Sequence, residues 1–496
     1  MIKNRFTAFI TAVLILMSLS GCTGNSDEGI ENANTLPTVS SRETSTDFTE
    51  IETETETETI TETEETSFKP ETTSRERSTE LATTTTPIET ITLAPDTGSI
   101  SISDYPTATG TVSEQLNEIT VSRITVPEID DTFGTVTSKP ISKLSPYTAK
   151  PEITRPYSYY QMSSTQQYIY DKIISAAKKY EQNITFDLSK KITVSDLYFV
   201  YQTLFIDQPD IFYLDATIQY LSNSSGYISK MYLEYLITQK EAEMLLSKTD
   251  AAAKKIIAKI TSSMSEYDIV KLFHDELVKK CNYNETAEHS IDIYGCLVDG
   301  QALCQGYARA FVYLCNKMGI QALLISGTAG NEPHMWNMVN IDGDWYHIDL
   351  TWDDANKSEY PNFVRYDYFC VTDSFINRIR KVDSQFYSYP KATADKCNYY
   401  VYNGYVANSA EEAEQLLKTA AYNASVNKDS AAQIICSSKD VYDEASERLF
   451  NQTNRTALSI LESVYDKAPN KFDTESLVYN KSSVTYTLKI LLDYTN

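Results

Sequence analysis

The sequence predicts an α+β fold whose core lies between residues 299 and 354. Three observations predict it: apolar residues at helical spacing after Cys304, a short apolar run at 320–326, and a hairpin turn at Asp342-Gly343. The core is expected to span 263–385. We expect a disordered stalk (22–154) and an N-terminal α+β module (155–262) before the core, and a small C-terminal α/β unit (395–496) after it.

The core helix is predicted from residues that recur every three or four positions, the spacing of one buried face: Tyr307, Ala310, Phe311, Leu314, Cys315 and Met318. Gly319 provides its C-terminal stop. Cys304 then falls in the first turn, where unpaired N–H groups and the helix dipole stabilise a thiolate. Cys304 is therefore a candidate nucleophile, whereas Cys315 is expected to be a small buried hydrophobe.

The hairpin predicts a base and its partner. With Asp342-Gly343 as a two-residue turn, Ile341 faces Asp344 and Trp336 faces Asp349. His334 and Asp349 then lie on one face as diagonal neighbours, about 7–8 Å apart at the backbone. A carboxylate there can orient the imidazole and stabilise its protonated form.

The three segments GQALCQGYARAF, HMWNMV and WYHIDLTWDD resemble, in this order, the core of the transglutaminase-like superfamily. The resemblance covers roughly 265–380, about a quarter of the chain. It implies a cysteine-proteinase-type (papain-type) fold in which Cys304 is the nucleophile, His334 the general base and Asp349 the orienting carboxylate. The separations are 30 and 15 residues.

The activity that the resemblance implies is acyl transfer through a thioester on protein or peptide amides, and cell-wall peptide is one candidate substrate. Hydrolysis, by a peptidase or amidase, is favoured over lysine cross-linking. The backbone N–H of Cys304 is one expected oxyanion donor, and Tyr294 is a candidate for a second. Trp336 is expected either to wall the substrate cleft or to pack in the core. The alternative function is a non-catalytic module that binds proteins or wall polymers.

The first 21 residues resemble a bacterial lipoprotein signal peptide. Lys3 and Arg5 precede an apolar run that is short for a membrane span, and Leu19-Ser20-Gly21-Cys22 follows. Cys22 is the expected lipidation site and mature N-terminus. The chain is therefore predicted to be extracytoplasmic and anchored to the bacterial cell membrane through this lipid.

The stalk over 22–154 is rich in Thr, Glu, Ser and Pro and poor in large apolar residues, so it cannot bury enough surface to fold. Between residues 24 and 100 stand 18 acidic and 4 basic residues. More than half of the net charge of −25 therefore belongs to this segment. No basic stripe or readout motif is present, which excludes nucleic acid as an expected partner.

The flanking units are predicted from apolar periodicity. In the N-terminal module we expect helices at 163–183, 193–205 and 239–262, the second opened by Ser195, and strands at 211–214, 218–221 and 230–238. Ser265 and Asp268 cap a helix that runs to Lys280. The C-terminal unit is expected to contain helices at 409–421, 440–450 and 456–467 and strands at 432–437 and 484–492.

The remaining candidate residues indicate structure more than chemistry. His274 and Asp275 are adjacent on a helix and so are expected to point in different directions. His347 shares the ribbon face of His334 and is expected to be a wall residue. Seven cysteines remain besides Cys22, an odd number, and Cys304 is the best candidate for a free thiol. No Cys or His spacing resembles a zinc site, and no metal or cofactor is predicted.

Overall fold

The structure is a computed structural model that describes residues 100–104, 117–123, 144–215, 219–223, 225–330, 332–354, 363–383, 388–451, 455–474 and 476–494. The predicted signal peptide, Cys22 and most of the predicted stalk lie outside these residues. Within the described part, no helix combines the length and the apolar character that a membrane crossing requires.

The described residues form a mixture of helices and strands. The helices are α1 (Ser164–Lys178), α2 (Val194–Asp207), α3 (Gln239–Ile257), α4 (Glu266–Lys280), α5 (Cys304–Lys317), α6 (Leu350–Asp353), α7 (Asp373–Ile376), α8 (Tyr399–Asn403), α9 (Ala410–Asn427), α10 (Lys439–Phe450) and α11 (Thr456–Tyr465). The strands are β1 (Ile100–Asp104), β2 (Asn117–Arg123), β3 (Asn183–Thr185), β4 (Gln219–Ser222), β5 (Ile228–Tyr232), β6 (Asn282–Tyr283), β7 (Gln301–Ala302), β8 (Ala322–Ala329), β9 (Glu332–Ile341), β10 (Asp344–Ile348), β11 (Arg380–Val382), β12 (Val406–Ala407), β13 (Ala431–Cys436), β14 (Ser476–Ser482) and β15 (Thr487–Leu491).

The core sheet has the order β10-β9-β8-β11, and all three of its neighbouring pairs are antiparallel. The predicted hairpin register is confirmed, since Asp344 pairs with Ile341 and Ile348 with Asn337. Both turn residues adopt positive φ, as a two-residue type I′ turn requires. Helix α5 packs on this sheet through its apolar face, and Ala310, Phe311 and Leu314 are fully buried.

The N-terminal module contains a three-stranded sheet of order β3-β5-β4 and the helices α1, α2 and α3. The strand predicted at 211–214 is wrong. Pro209–Ile211 forms a 3₁₀ turn, because proline favours the first position of a helical turn, and the chain continues as a turn to an isolated bridge between Leu214 and Tyr235. Thr193, not Ser195, caps α2, and β5 ends at Tyr232, short of the predicted 238.

The C-terminal sheet has the order β1-β2-β14-β15-β13-β12. Two of its strands, β1 and β2, lie inside 22–154, the segment that was predicted to be unfolded throughout. Their backbones pair with each other, and β2 pairs with β14. Apolar residues alternate with polar ones in ISISD and NEITVSR, which is the period of a strand, although the surrounding composition is that of a disordered segment.

The larger of two hydrophobic clusters in the described residues extends from the N-terminal module through the core to the C-terminal unit. Polar contacts also join the last two. Lys489 of β15, fully buried, donates to Asp367 at 2.9 Å, and Gln433 donates to the carbonyl of Val364 at 2.8 Å. Burial lowers the pKa of Lys489, whereas the Asp367 carboxylate raises it. These hydrogen bonds therefore hold residues 364–367 of the core against the C-terminal unit.

Candidate active site

Cys304 is the first residue of α5. The residue before it, Leu303, has no side-chain acceptor, so no capping side chain occupies the first-turn N–H groups beside Cys304. Among the cysteines that the structure describes, Cys304 is partly exposed and the other six are buried. It is therefore the described thiol that a reagent or substrate can reach.

Hydrogen bonds from two side chains, Asn337 and Arg309, fix the helix that carries Cys304. The amide of Asn337 on β9 donates to the carbonyls of Ala308 in the helix and Leu323 in β8, at 3.0 and 3.1 Å. Arg309, buried, donates to the carbonyl of Phe205 in α2 at 2.6 Å. These hydrogen bonds connect α5, which carries Cys304, to β9, which carries His334, and to α2 of the N-terminal module.

His334 and Asp349 are hydrogen-bonded, with 2.7 Å between His334 Nε2 and Asp349 Oδ2. Burial of the imidazole lowers its pKa, but the charge of Asp349 and hydrogen bonds to Asp349 and Cys304 raise it to about 9. Because Nε2 is bonded to Asp349, Nδ1 is the ring nitrogen that remains to bond with Cys304. The structure thus brings Cys304, His334 and Asp349 together in the order that the sequence predicted.

Asp349 is fully buried and satisfied by several donors. The backbone N–H of Trp352 donates to Oδ1 at 3.1 Å, so Asp349 also caps α6. Burial raises the pKa of this carboxyl, but the charges of His334 and Arg380 hold it well below its usual range. Asp349 is therefore an anion at neutral pH.

Arg380 is part of the site although the sequence did not indicate it. Its Nε and Nη2 donate to Asp349 Oδ2 at 3.1 and 2.7 Å. The guanidinium lies over the rings of Trp352 and Tyr368, 4.2 and 4.7 Å from their centroids. Arg380 begins β11, which pairs with β8, and only this long-range pairing brings it to Asp349.

Trp336 is buried and does not wall an open cleft. Its ring is nearly parallel to that of His334, 6.0 Å away, and its Nε1 donates to His347 Nδ1 at 3.1 Å. His347 in turn contacts Asp373 through Nε2 at 3.0 Å. Of the two roles expected for Trp336, core packing beneath the His334 ring is the one its position fits. His347 is likewise buried.

His274 and Asp275 contact each other, contrary to the expectation that they point apart. His274 Nδ1 lies 3.0 Å from Asp275 Oδ1, and Nε2 lies 3.2 Å from Asp353 Oδ2. Burial raises the pKa of Asp353 to about 6. Asp353 also accepts from the N–H of Tyr368 at 3.0 Å. This buried network braces the segment after Asp349 against α4 and contains no group from the candidate triad.

Tyr294, the candidate oxyanion donor, packs against His289 at 4.8 Å between centroids and lies near Lys248. Among the described contacts of Tyr294, none is with Cys304. A different tyrosine, Tyr283, interacts electrostatically with Cys304. In the described part of the chain, no group of three or more His, Cys, Asp or Glu side chains is arranged to hold a metal ion.

The arrangement combines an accessible sulfur, an imidazole that carries a proton at neutral pH and a buried anion that stabilises this proton. An imidazolium beside a thiol favours the thiolate, which is the nucleophilic form. Such an ion pair can attack a carbonyl carbon and then protonate the leaving group.

Comparison with protein families matches residues 250–350 to the model described as the transglutaminase-like superfamily. All three candidate residues lie inside this range. The fold is therefore a mixture of helix and sheet with a transglutaminase-like core. A comparison with curated proteins found no match.

Three solved structures share limited similarity with the chain. A candidate cysteine protease from Cytophaga hutchinsonii is 15% identical over 27% of this chain and 61% of its own, with a TM-score of 0.19. A protein described as a TGase is 16% identical over 34% of this chain and 48% of its own, with a TM-score of 0.21. Menin, crystallised to reveal its binding site for the Mixed Lineage Leukemia protein, is 12% identical over 46% of this chain and 52% of its own, with a TM-score of 0.20. The chain spans less than two thirds of each of them.

Proposed function

We propose that this chain, which contains a transglutaminase-like domain over residues 250–350, is a cysteine enzyme that transfers acyl groups through a thioester. Its substrates are amides of proteins or peptides, cell-wall peptide included, and water is the favoured acceptor. The observation that carries the proposal is the continuous chain of contacts from the partly exposed Cys304 through His334 to the buried Asp349.

In the proposed reaction, the Cys304 thiolate attacks the amide carbonyl carbon, and the carbonyl electron pair moves onto oxygen. Collapse of this tetrahedral intermediate breaks the C–N bond, and the His334 imidazolium gives its proton to the leaving amine. A thioester on Cys304 remains. Neutral His334 then takes a proton from water, which attacks the thioester and releases the acid and the thiolate. Asp349 keeps the imidazole oriented and stabilises its charge in both steps.

Alkylation by iodoacetamide at about pH 6 tests the nucleophile. We expect the wild-type protein to be alkylated at Cys304 and the His334→Ala variant to react much more slowly, because the thiolate loses its counter-ion. Cys304→Ala identifies the modified site by mass spectrometry. Cys315→Ala, a change to a buried thiol of the same helix, serves as the matched control and should react like wild type.

Equal alkylation of the wild type and His334→Ala would contradict the proposal, because Cys304 would then behave as an isolated thiol. A non-catalytic binding module would become the better reading. Turnover is tested with p-nitrophenyl acetate as acyl donor, with and without a primary amine. Acetate as the main product in the presence of amine would favour hydrolysis, and an acetylated amine would favour transfer.

We also propose that the protein is displayed outside the cell, anchored through a lipid on Cys22. The support is the sequence of the first 22 residues alone, an apolar run followed by Leu19-Ser20-Gly21-Cys22. Incorporation of a labelled fatty acid in a bacterial host should be lost in Cys22→Ser. The same labelling in both proteins would contradict the anchor without affecting the proposed chemistry.

A further inference from the structure

Tyr283 is placed next to the candidate nucleophile by a short parallel strand pair. β6 runs beside β7, with Tyr283 aligned to Ala302, and the N–H of residue 284 donates to the carbonyl of Ala302 at 3.0 Å. Ala302 lies two residues before Cys304. Paired strands are about 5 Å apart, so the backbone of Tyr283 flanks the entry to the cysteine helix.

The Tyr283 hydroxyl is a buried donor without an acceptor among the described residues. Its ring is only partly buried and packs against the edge of the core. Burial raises the pKa of the phenol well above its usual range, and the negative charges of Cys304 and Glu285 raise it further. Tyr283 therefore keeps its proton throughout the accessible pH range and remains a donor.

A buried hydroxyl that donates to nothing is costly, on the order of 1–3 kcal/mol, and such groups are rare in folded proteins. This cost is offset when a ligand supplies the acceptor. Beside a nucleophilic sulfur, the ligand atom in need of a donor is the carbonyl oxygen under attack, because negative charge develops there.

We propose that the Tyr283 hydroxyl is the second oxyanion donor of the site, together with the backbone N–H of Cys304. The inference rests on the proposed acyl transfer and specifies how its intermediate is stabilised. It replaces Tyr294 in this role, because Tyr283 interacts electrostatically with Cys304, whereas the described contacts of Tyr294 include none with Cys304. Tyr283 touches the reacting oxygen and is therefore a catalytic residue in this scheme.

In the proposed step, the Tyr283 hydroxyl stabilises the negative charge on oxygen and keeps its proton. The sulfur lone pair forms the S–C bond, and the C=O pair becomes a lone pair on oxygen. Tyr283 donates a hydrogen bond to that oxygen without transferring its proton, and collapse restores the C=O bond and breaks the bond to the leaving group. Protons move only through His334, so Tyr283 leaves the step unchanged.

The test compares two reactions of the same thiol in the full chain. Acylation by p-nitrophenyl acetate passes through an oxyanion, whereas alkylation by iodoacetamide does not. Tyr283→Phe removes only the hydroxyl, so we expect kcat/KM for the ester to fall on the order of 10²-fold and the alkylation rate of Cys304 to stay within about twofold. Unchanged alkylation also shows that the variant is folded at the site.

Tyr198→Phe is the matched control. The Tyr198 hydroxyl is likewise buried without an acceptor in the described part of the chain, but it lies on α2, and burial is the cause of its raised pKa. We expect wild-type rates in both reactions. A similar loss of ester turnover in Tyr198→Phe would overturn the assignment, because any buried hydroxyl would then suffice.

Two other results would overturn it. Wild-type ester turnover in Tyr283→Phe would show that the hydroxyl does not act, and a parallel loss of alkylation would show that it acts on the sulfur. A wild-type protein whose Cys304 resists iodoacetamide would instead remove the proposed function itself. The alkylation of the wild type therefore separates failure of the reaction from failure of the oxyanion assignment.

Discussion

Arg380 and Asp349 form a fully buried ion pair in which two guanidinium nitrogens share one carboxylate oxygen, Oδ2. The same oxygen accepts from His334 Nε2. Asp349 is thus held between a permanent cation and the imidazole. This arrangement keeps the carboxylate ionised and leaves it little freedom to turn, which makes Arg380 a positioning residue for His334.

Arg380→Met should impair both stability and the site. Removal of one partner of a buried ion pair costs about 3–5 kcal/mol, and the Asp349 carboxyl should become easier to protonate. Urea unfolding measures the first effect. The pH profile of Cys304 alkylation measures the second, because a neutral Asp349 no longer raises the pKa of His334.

Arg378→Ala is the control for this change. Arg378 lies two residues away but is exposed, with its guanidinium near Phe375 and Tyr486. Arg378 also donates to the carbonyl of Val484 at 2.7 Å, so we expect a loss of stability of about 1 kcal/mol, smaller than for Arg380→Met, and an unchanged alkylation profile. An Arg380→Met protein with the same profile as Arg378→Ala would show that Arg380 does not act on the site.

Asp349→Asn should move the alkaline limb of the pH profile for turnover of a peptide amide, whose leaving amine needs a proton from His334, to lower pH. The pKa of His334 is about 9, so the imidazolium that serves as the acid is lost as the pH rises through this value. Without the Asp349 charge, that loss should occur nearer the ordinary value of 6.5. An alkaline limb in the same place would contradict the role of Asp349, provided circular dichroism shows a folded variant.

The raised pKa of His334 also predicts how stability depends on pH. A folded-state pKa above the unfolded value of 6.5 means that the folded protein binds this proton more tightly. The resulting stabilisation, about 3 kcal/mol from the two values, is fully present below pH 6.5 and is lost as the pH rises through about 9. Urea unfolding at pH 6 and pH 9.5 should show this loss in the wild type and a smaller one in His334→Gln.

The hairpin could be predicted because its register follows from a local turn, Asp342-Gly343, and a period of two. Residues His334 and Asp349 needed nothing else to be placed together. Arg380 and Tyr283 could not be found in this way. Each reaches the site through pairing of a short strand with a distant one, and two or three residues carry no periodic signal.

The errors outside the core have a similar origin. The apolar run that follows Pro209 fits a strand and a helical turn equally well, and proline decided the outcome. β1 and β2 were missed because their alternation covers only a few residues in a segment of stalk-like composition. β2 pairs with β14, which lies more than 350 residues away, and no local pattern predicts that pairing.

Gly306→Ala should displace Cys304 without altering any reactive group. A Cβ at Gly306 would stand 2.5 Å from the carbonyl oxygen of Ser290 and 2.8 Å from the Ala302 Cβ, so either the helix or the loop must shift. Overpacking of this kind costs about 1–3 kcal/mol, which exceeds the gain in helix propensity from alanine. We expect a lower melting temperature and slower alkylation of Cys304. Asn316→Ala, at the far end of the same helix, should leave the alkylation rate unchanged. Wild-type alkylation in Gly306→Ala would mean that this close packing does not position the sulfur.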